Sequence, residues 1–217
     1  MRVLIGCELS GTIRDAFAAR GHYAVSCDLE PSDAPGLHYQ GDLFDVLRPE
    51  YQWDLVIAHP PCTFLSSSGL HWNTRIEGIR INRQQKTYDA IAFAERIWAC
   101  RSFVPKMVIE NPIGCLSTRS QLGREILGKT SQFIQPYEFG HDASKRTSLW
   151  LQGVAALQLD PLKRFPGRMV EWKGKMVERW SNQTDSGQSA LPPSDDRAKV
   201  RSNTYQGWAD AMAAQWG

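Results

Sequence analysis

No stretch of this 217-residue sequence approaches the roughly 18 consecutive apolar residues that a membrane-crossing helix needs. Its N-terminus, MRVLIGCELSG, places Glu8 and Gly11 where a secretory leader requires an unbroken apolar run. These absences predict a soluble, cytoplasmic protein. No CxxC pair and no Cys/His spacing of the zinc-binding kind occurs, and the five cysteines (Cys7, Cys27, Cys62, Cys100, Cys115) are odd in number. A disulfide framework and a metal site are both disfavoured, and the thiols read as free in a reducing compartment. Charge of one sign is also missing: 25 basic and 23 acidic residues leave +2, too little to announce a nucleic-acid binder. An acidic partner would have to be met by local patches. No His/Asp/Ser arrangement points to hydrolysis.

What is present is an alternation of strand-like and helix-like segments. Met1 to Ile5 is an apolar run of strand type, the turn Gly6 to Gly11 interrupts it, and Thr12 to Arg20 follows with Ile13, Phe17 and Ala18 on one helical face. Tyr23 to Cys27 is a second strand closed by Asp28, one helix and one strand beyond Gly11. This is the spacing at which a dinucleotide-type fold sets an acid against a ribose. A third short segment precedes Gly41-Asp42-Leu43, Leu55 to Ala58 is a fourth strand, and Met107 to Ile109 is a fifth, ending in Glu110-Asn111-Pro112. Between the last two, Thr87 to Cys100 carries Ile91, Ala94, Ile97 and Trp98 at helical spacing, a core-facing stripe. The alternation predicts an α/β fold, a Rossmann-like doubly wound and mostly parallel sheet, in one main domain.

The most informative stretch is Trp53 to Gly69, WDLVIAHPPCTFLSSSG, where an apolar strand runs into Pro-Pro-Cys and a small polar loop. An isolated cysteine is ordinarily a small core residue. Here two prolines stiffen the chain just before Cys62, and the strand delivers it to the sheet edge where open α/β sheets bind ligands. His59, beside Pro60, is read as a structural histidine.

These residues, with Asp54, Pro61, Ser66, Ser68 and Gly69, resemble the catalytic loop of the DNA cytosine-5 methyltransferase family, in which a strand ends in Pro-Cys. Other motifs follow in the family's order. Glu110-Asn111-Pro112 is similar to its Glu-Asn-Val, and Tyr137 to Leu151, YEFGHDASKRTSLWL, is similar to the segment where Gln-x-Arg-x-Arg follows a Tyr/Phe-Gly pair. Asn203 to Gly217 resembles the last motif, which closes the cofactor pocket. The resemblance implies S-adenosyl-L-methionine as cofactor, wrapped by Glu8, Leu9, Ser10 and Gly11, with Asp28 and Leu29 at the ribose, Asp42 and Leu43 near the adenine, and Pro61, Thr204 and Gln206 closing the site. It implies Cys62 as the nucleophile that adds to cytosine carbon 6, Glu110 as the group at ring N3, and Arg146 at the cytosine carbonyl or a phosphate. Ser66, Ser68 and Lys145 are the implied nucleic-acid contacts. Gly6 stands where the family has an aromatic, and Ser10, Ser144 and Ser148 replace a glycine, the Gln and the second Arg.

The resemblance implies a methyltransferase unit made of 1–151 and 202–217. Between them, 152–201 is a small, mainly irregular appendage with Pro161, Pro166, Pro192, Pro193, Trp172 and Trp180, and with nine Lys or Arg against six Asp or Glu. Basic residues interleaved with aromatics suit phosphates and stacked bases better than extensive base-edge readout, and a solvated lid is the equally weighted alternative. The leading expectation is a compact cytosine-5 methyltransferase acting on DNA with a short or loose sequence preference, monomeric or weakly dimeric, in a bacterial or phage-infected cell. Two alternatives stay open: the same chemistry on single strands or a free cytosine nucleotide, and a cofactor-binding module without catalysis. An amino-methyltransferase is disfavoured, because Cys62 occupies the position after Pro-Pro where those enzymes carry a base-stacking aromatic.

Overall fold

A computed structural model describes residues 1–70, 77–118, 127–192 and 204–217. Seven strands form one sheet: β1 (Arg2–Gly6), β2 (Tyr23–Asp28), β3 (His38–Gln40), β4 (Leu55–Ala58), β5 (Lys106–Pro112), β6 (Gln132–Ile134) and β7 (Thr147–Gln152), in the spatial order β3-β2-β1-β4-β5-β7-β6. The first five are parallel neighbours, while β7 runs antiparallel to both β5 and β6. This is the Rossmann-like, doubly wound and mostly parallel sheet that the strand–helix alternation predicts. The chain winds outward from β1 to β3 and restarts at β4 on the other side of β1. The sheet's switch point therefore lies between β1 and β4, where open sheets of this type bind ligands.

Both faces of the sheet are covered, so its strands are apolar throughout and successive residues feed opposite cores. Val3, Ile5, Leu55, Ile57 and Val108 pack beneath α1 (Thr12–Ala18) and the C-terminal helix, with Ile13, Phe17, Trp208, Ala209 and Met212. Leu4, Val56, Ala58, Met107 and Ile109 face the opposite core, which takes in Leu43, Val46 and Leu47 from α2 (Leu43–Val46) and the residue after it. A short α3 (Ser67–Leu70) precedes α4 (Glu77–Ala99), whose Ile91, Ala94, Ile97 and Trp98 are all buried in that second core, and α5 (Cys115–Thr118) follows β5. The C-terminal helix, α6 (Gln206–Trp216), lies against α1. Helix α1 ends earlier than its sequence pattern predicts, and Ala18 is exposed rather than part of the buried face. Arg14 takes a place in that face instead. Its guanidinium is 1% exposed and donates to Ser26, Ser32 and the carbonyls of Ala34 and Pro35.

The segment after β7 is less irregular than expected. It contains a hairpin, β8 (Arg168–Trp172) and β9 (Lys175–Arg179), closed by Lys173-Gly174 with φ of 52° and 74°. Two consecutive positive φ values give the tight turn whose twist matches a hairpin, and glycine takes the second at no steric cost. The root of the hairpin is fastened to the main domain. Trp180 stacks on Tyr137 at 3.9 Å and is only 7% exposed, and Asn182 exchanges two 2.9 Å hydrogen bonds with the backbone of Ser144. Trp180 is thus committed to packing and offers no face to a base. Trp172, 39% exposed at the hairpin tip, does. Pro193 and the other residues of 193–201 lie outside the described residues. No helix among the described residues is long and apolar enough to cross a membrane.

Candidate active site

The carboxyl ends of four parallel strands meet in one cleft. Gly6 of β1 pairs with Cys27 of β2 on one side and Ala58 of β4 on the other, and Ala58 pairs with Ile109 of β5. One residue further along each strand therefore brings Asp28, Cys7, His59 and Glu110 into a row. All four line a cleft of about 210 Å³, together with Glu8, Leu9, Ser10, Asp33, Pro60, Pro61, Cys62, Asn111, Pro112, Lys145 and Thr204. Lys145 reaches this edge because β7 is antiparallel to β5, so the loop that enters β7 lies where β5 ends.

Register also explains the polar contact at the centre. Side chains at matching positions of parallel neighbours lie side by side on one face, and His59 Nδ1 bonds Glu110 Oε2 at 2.9 Å. Glu110 is nearly buried, which pushes its carboxyl up, but the hydrogen bond and charge of His59, with the charge of Lys145, outweigh this and hold it below the usual carboxylate range. The Thr147 hydroxyl donates to the Lys145 carbonyl at 3.1 Å. Oε1 of Glu110 is left buried with no hydrogen-bond partner among the described residues, as are His59 Nε2 and Asn111 Oδ1. Buried polar atoms are rarely left unpaired in folded proteins, so several in one cleft mark a place for a polar ligand.

Cys62 starts a short 3-10 helix, Cys62–Phe64, directly after the two prolines. Its carbonyl accepts from Leu65 and Ser66, and Asn111 donates its side-chain amide to the Pro60 carbonyl at 2.8 Å. The loop carrying Cys62 is also clamped to the loop after β5: Cys115 N–H donates to the Leu65 carbonyl at 2.8 Å, and Ser67 N–H to the Ile113 carbonyl at 2.9 Å. Gly114 sits in this clamp, with no room for a side chain against Leu65 and Ser66. A second thiol, Cys7, lines the cleft, but burial and then the charge of Asp28 push it far up. Cys7 is held as a thiol, which leaves Cys62 as the candidate nucleophile.

The turn after β1 is organised by a buried carboxylate. Glu8 accepts from Ile13 N–H at 2.8 Å and Arg14 N–H at 3.4 Å, and Ser10 donates to it at 3.4 Å, so it caps the start of α1 while lining the cleft. Burial pushes its carboxyl up, against the charge of His59 and those two N–H groups. Gly11 has φ of +70°, and a Cβ there would lie 2.3 Å from the Arg14 guanidinium, so its role is to let the turn close over Arg14. Asp33, whose N–H donates to the Leu9 carbonyl at 2.9 Å, joins the lining from the loop that Arg14 holds in place.

Several predicted site residues lie elsewhere. Asp42 caps α2 by accepting from Phe44 N–H at 2.8 Å, and Leu43 is buried beneath Gly6, where a Cβ would meet its methyl groups at about 3 Å. Neither lines the cleft, and nor does Leu29, which is 71% exposed. Arg146 is exposed and lays its guanidinium over Phe133 at 4.2 Å, while its neighbour Lys145 enters the cleft. Ser66 is half-buried behind Cys62, and Ser68 lies in α3 with its side chain outside the described residues. Gln206 bonds Asp210 on its own helix, and Asp54 receives Arg2 N–H at the opposite edge of the sheet. His59, Asn111 and Asp33 join the cleft lining without having been assigned to it from the sequence, and Gly114 packs behind it in the clamp.

No protein-family model matches the chain, and a search of the curated proteins finds no match. Among solved structures the chain is similar to a protein described as a DNA modification methyltransferase encoded within an Escherichia coli prophage, at 13% identity and TM-score 0.42, over 69% of this chain and 45% of that one. It is similar to a mutant of Spodoptera frugiperda DNMT2 at 16% identity and TM-score 0.40, over 69% and 49% of the two chains. Similarity to WbdD, crystallised with a kinase inhibitor, covers 92% of this chain and 47% of that one at 11% identity and TM-score 0.40. The chain spans about half the length of each of these proteins. Likenesses this distant leave the function to be argued from the cleft itself.

Proposed function

We propose that the protein transfers a methyl group from S-adenosyl-L-methionine to carbon 5 of cytosine in DNA, through a covalent bond from Cys62 to carbon 6. The observation that carries this reading is the convergence of a loop thiol, Cys62, and a buried carboxylate, Glu110, on one cleft from adjacent parallel strands. Carbon 5 of cytosine is too weak a nucleophile to accept a methyl group unaided. Addition of a thiolate at carbon 6 turns the ring into an enamine, and the charge that builds toward N3 needs a carboxyl group beside it.

The cleft suits this cofactor on the balance of its lining charges. Glu8, Asp28, Asp33 and Glu110 face one ammonium, Lys145, a set that favours a cationic ligand such as a sulfonium carrying an amino group. Asp28, at the end of β2, is placed for ribose hydroxyls, and its Oδ1 already accepts from Glu30 N–H at 3.2 Å. The cofactor supplies an electrophilic methyl group. Cys62 supplies the thiolate, Glu110 the hydrogen-bonding group at N3, and Lys145 a positive charge beside Glu110. The target base would leave the stack to reach them.

Methyl transfer from labelled cofactor to duplex DNA, single-stranded DNA and dCMP in parallel, followed by nucleoside analysis, tests the reading. 5-Methylcytosine in duplex supports it, label confined to single strands or dCMP moves the substrate to the free-strand alternative, and no transfer despite cofactor binding overturns catalysis. Asp28→Ala is expected to weaken cofactor binding by about 10- to 100-fold, the loss of charge-assisted hydrogen bonds to hydroxyls, measured by calorimetry. An unchanged affinity would remove Asp28 from the cofactor site.

For the DNA itself we assign the hairpin tip. Trp172, Lys173 and Lys175 stand together there, with Lys173 Nζ 5.9 Å from the Trp172 ring, and the hairpin root is tied to the loop that carries Lys145. Lys173→Ala with Lys175→Ala should flatten the salt dependence of DNA binding by about one unit of slope per lost phosphate contact, leaving cofactor affinity intact. A slope equal to wild type would exclude the tip.

A further inference from the structure

We propose that His59 positions Glu110 and stores the proton that Glu110 delivers to the base, a role that rests on the cytosine reading above. The imidazole is bonded to the Glu110 carboxylate and shares the cleft with a second carboxylate, Glu8, whose ionisation its charge favours. Glu110 is held by strand β5 and bonded through Oε2 at 2.9 Å, and Glu8 is locked onto the backbone of Ile13 and Arg14. The pair is nearly enclosed, with side chains 14% and 10% exposed for His59 and Glu110. The charged groups around it are Glu8 from the turn after β1 and Lys145 from the entry to β7, with Asp28, Asp33 and the thiols Cys7 and Cys62 elsewhere in the lining. With His59 on Oε2, Oε1 is the carboxylate oxygen that has no hydrogen-bond partner among the described residues. A carboxylate paired with an imidazole can pass a proton from the ring to a base, and Nδ1 of His59, 2.9 Å from Oε2, is placed for that relay.

The step balances. As the Cys62 thiolate forms the bond to carbon 6, the C5–C6 π pair moves toward N3 and the ring gains one negative charge. Glu110 gives a proton to N3 and receives the Nδ1 proton of His59. The imidazolium becomes imidazole, Glu110 ends as it began, and the adduct is neutral. After methyl transfer the C5 proton leaves to water, the carbon–sulfur bond breaks to return the thiolate, and the N3 proton passes back through Glu110 to His59.

The test separates this pairing from the methyltransferase reading. With ¹³C-carboxyl glutamate and Glu110 assigned by Glu110→Gln, the Glu110 carboxyl in the full chain should titrate at higher pH in His59→Ala than in wild type. His59→Asn keeps an N–H near Oε2 but cannot carry the proton. It should leave cofactor affinity and KM for DNA within about threefold while kcat falls on the order of 100-fold and the alkaline limb of the rate profile moves. A Glu110 midpoint that ignores His59→Ala overturns the pairing. Wild-type kcat and pH profile in a folded His59→Asn overturn the proton role. Absence of methyl transfer by wild type would strike the function, while the carboxyl titration would still decide the pairing.

Discussion

Cys62→Ser is expected to reduce methyl transfer by a factor on the order of 10⁴ or more, about 5 kcal/mol of transition-state stabilisation, while cofactor affinity stays within about twofold. Serine is close to cysteine in size, and the backbone bonds that Leu65 N–H and Ser66 N–H donate to the carbonyl of residue 62 do not depend on the side chain. The loop should therefore keep its shape. What changes is the nucleophile, because a serine hydroxyl is far harder to ionise than a thiol, and the neutral oxygen adds to carbon 6 far more slowly than a thiolate. The comparison with Cys7→Ser is the internal control, since both thiols line the cleft but burial and Asp28 hold Cys7 protonated. Transfer should survive Cys7→Ser and fail in Cys62→Ser. Retained activity in Cys62→Ser would sink the covalent mechanism outright.

The strands that carry the cleft were legible because their signals are local. Leu55–Ala58 is an unbroken apolar run bounded by Asp54 and His59-Pro60, and it is β4 to the residue. By contrast β5 extends to Pro112, beyond the apolar run that marks it, because Glu110, Asn111 and Pro112 pair with Leu149, Ser148 and Thr147 of β7. That pairing joins segments more than thirty residues apart in sequence, and no local pattern encodes it. Pro112 is tolerated since it closes the strand, where the missing N–H costs least. The hairpin escaped for a similar reason: Lys173-Gly174 is a weak turn signal beside Asn-Gly, and the flanking strands mix Met, Glu and Arg rather than alternating cleanly.

The site was legible where a residue type is rare and its strand ends there. Cys62 after two prolines and Glu110 after an apolar run meet that condition, and both reach the cleft. His59 did not stand out, because a histidine next to a strand is usually structural, and only the β4–β5 register, Ala58 against Ile109, shows that it abuts Glu110. Lys145 and Arg146 show the cost of a single position. Successive residues entering a strand point to opposite sides, so the residue matched to a motif lies over Phe133 and its neighbour faces the cleft. Asp42 and Leu43, expected near the adenine, have visible roles in the fold, one capping α2 and the other filling the space that Gly6 leaves.

Gly114→Ala is expected to lower kcat by more than about 100-fold without altering any group that takes part in the reaction. A Cβ at this position would lie 1.8 Å from the Leu65 carbonyl oxygen, 2.7 Å from its carbon and 2.8 Å from Ser66 Cα, all backbone atoms that cannot rotate aside. The Leu65–Ser66 segment must retreat by an ångström or more, breaking the 2.8 Å bond from Cys115 N–H to the Leu65 carbonyl. That segment is one helical turn from Cys62, and Gly114 is four residues from Glu110, so the retreat widens the gap between nucleophile and carboxyl. Overpacking of this kind costs about 1 to 3 kcal/mol, which for a chain of this size is several degrees of Tm. Gly153→Ala separates the geometric effect from the loss of stability. Its Cβ would lie 2.2 Å from the Pro105 carbonyl oxygen with φ at +69°, at the far end of the β5–β7 pair from the cleft. Thermal melts should show both variants destabilised, whereas initial rates well below either Tm should be lost only in Gly114→Ala. Equal rates in the two variants would mean that the clamp between the loops after β4 and β5 does not set the distance on which transfer depends.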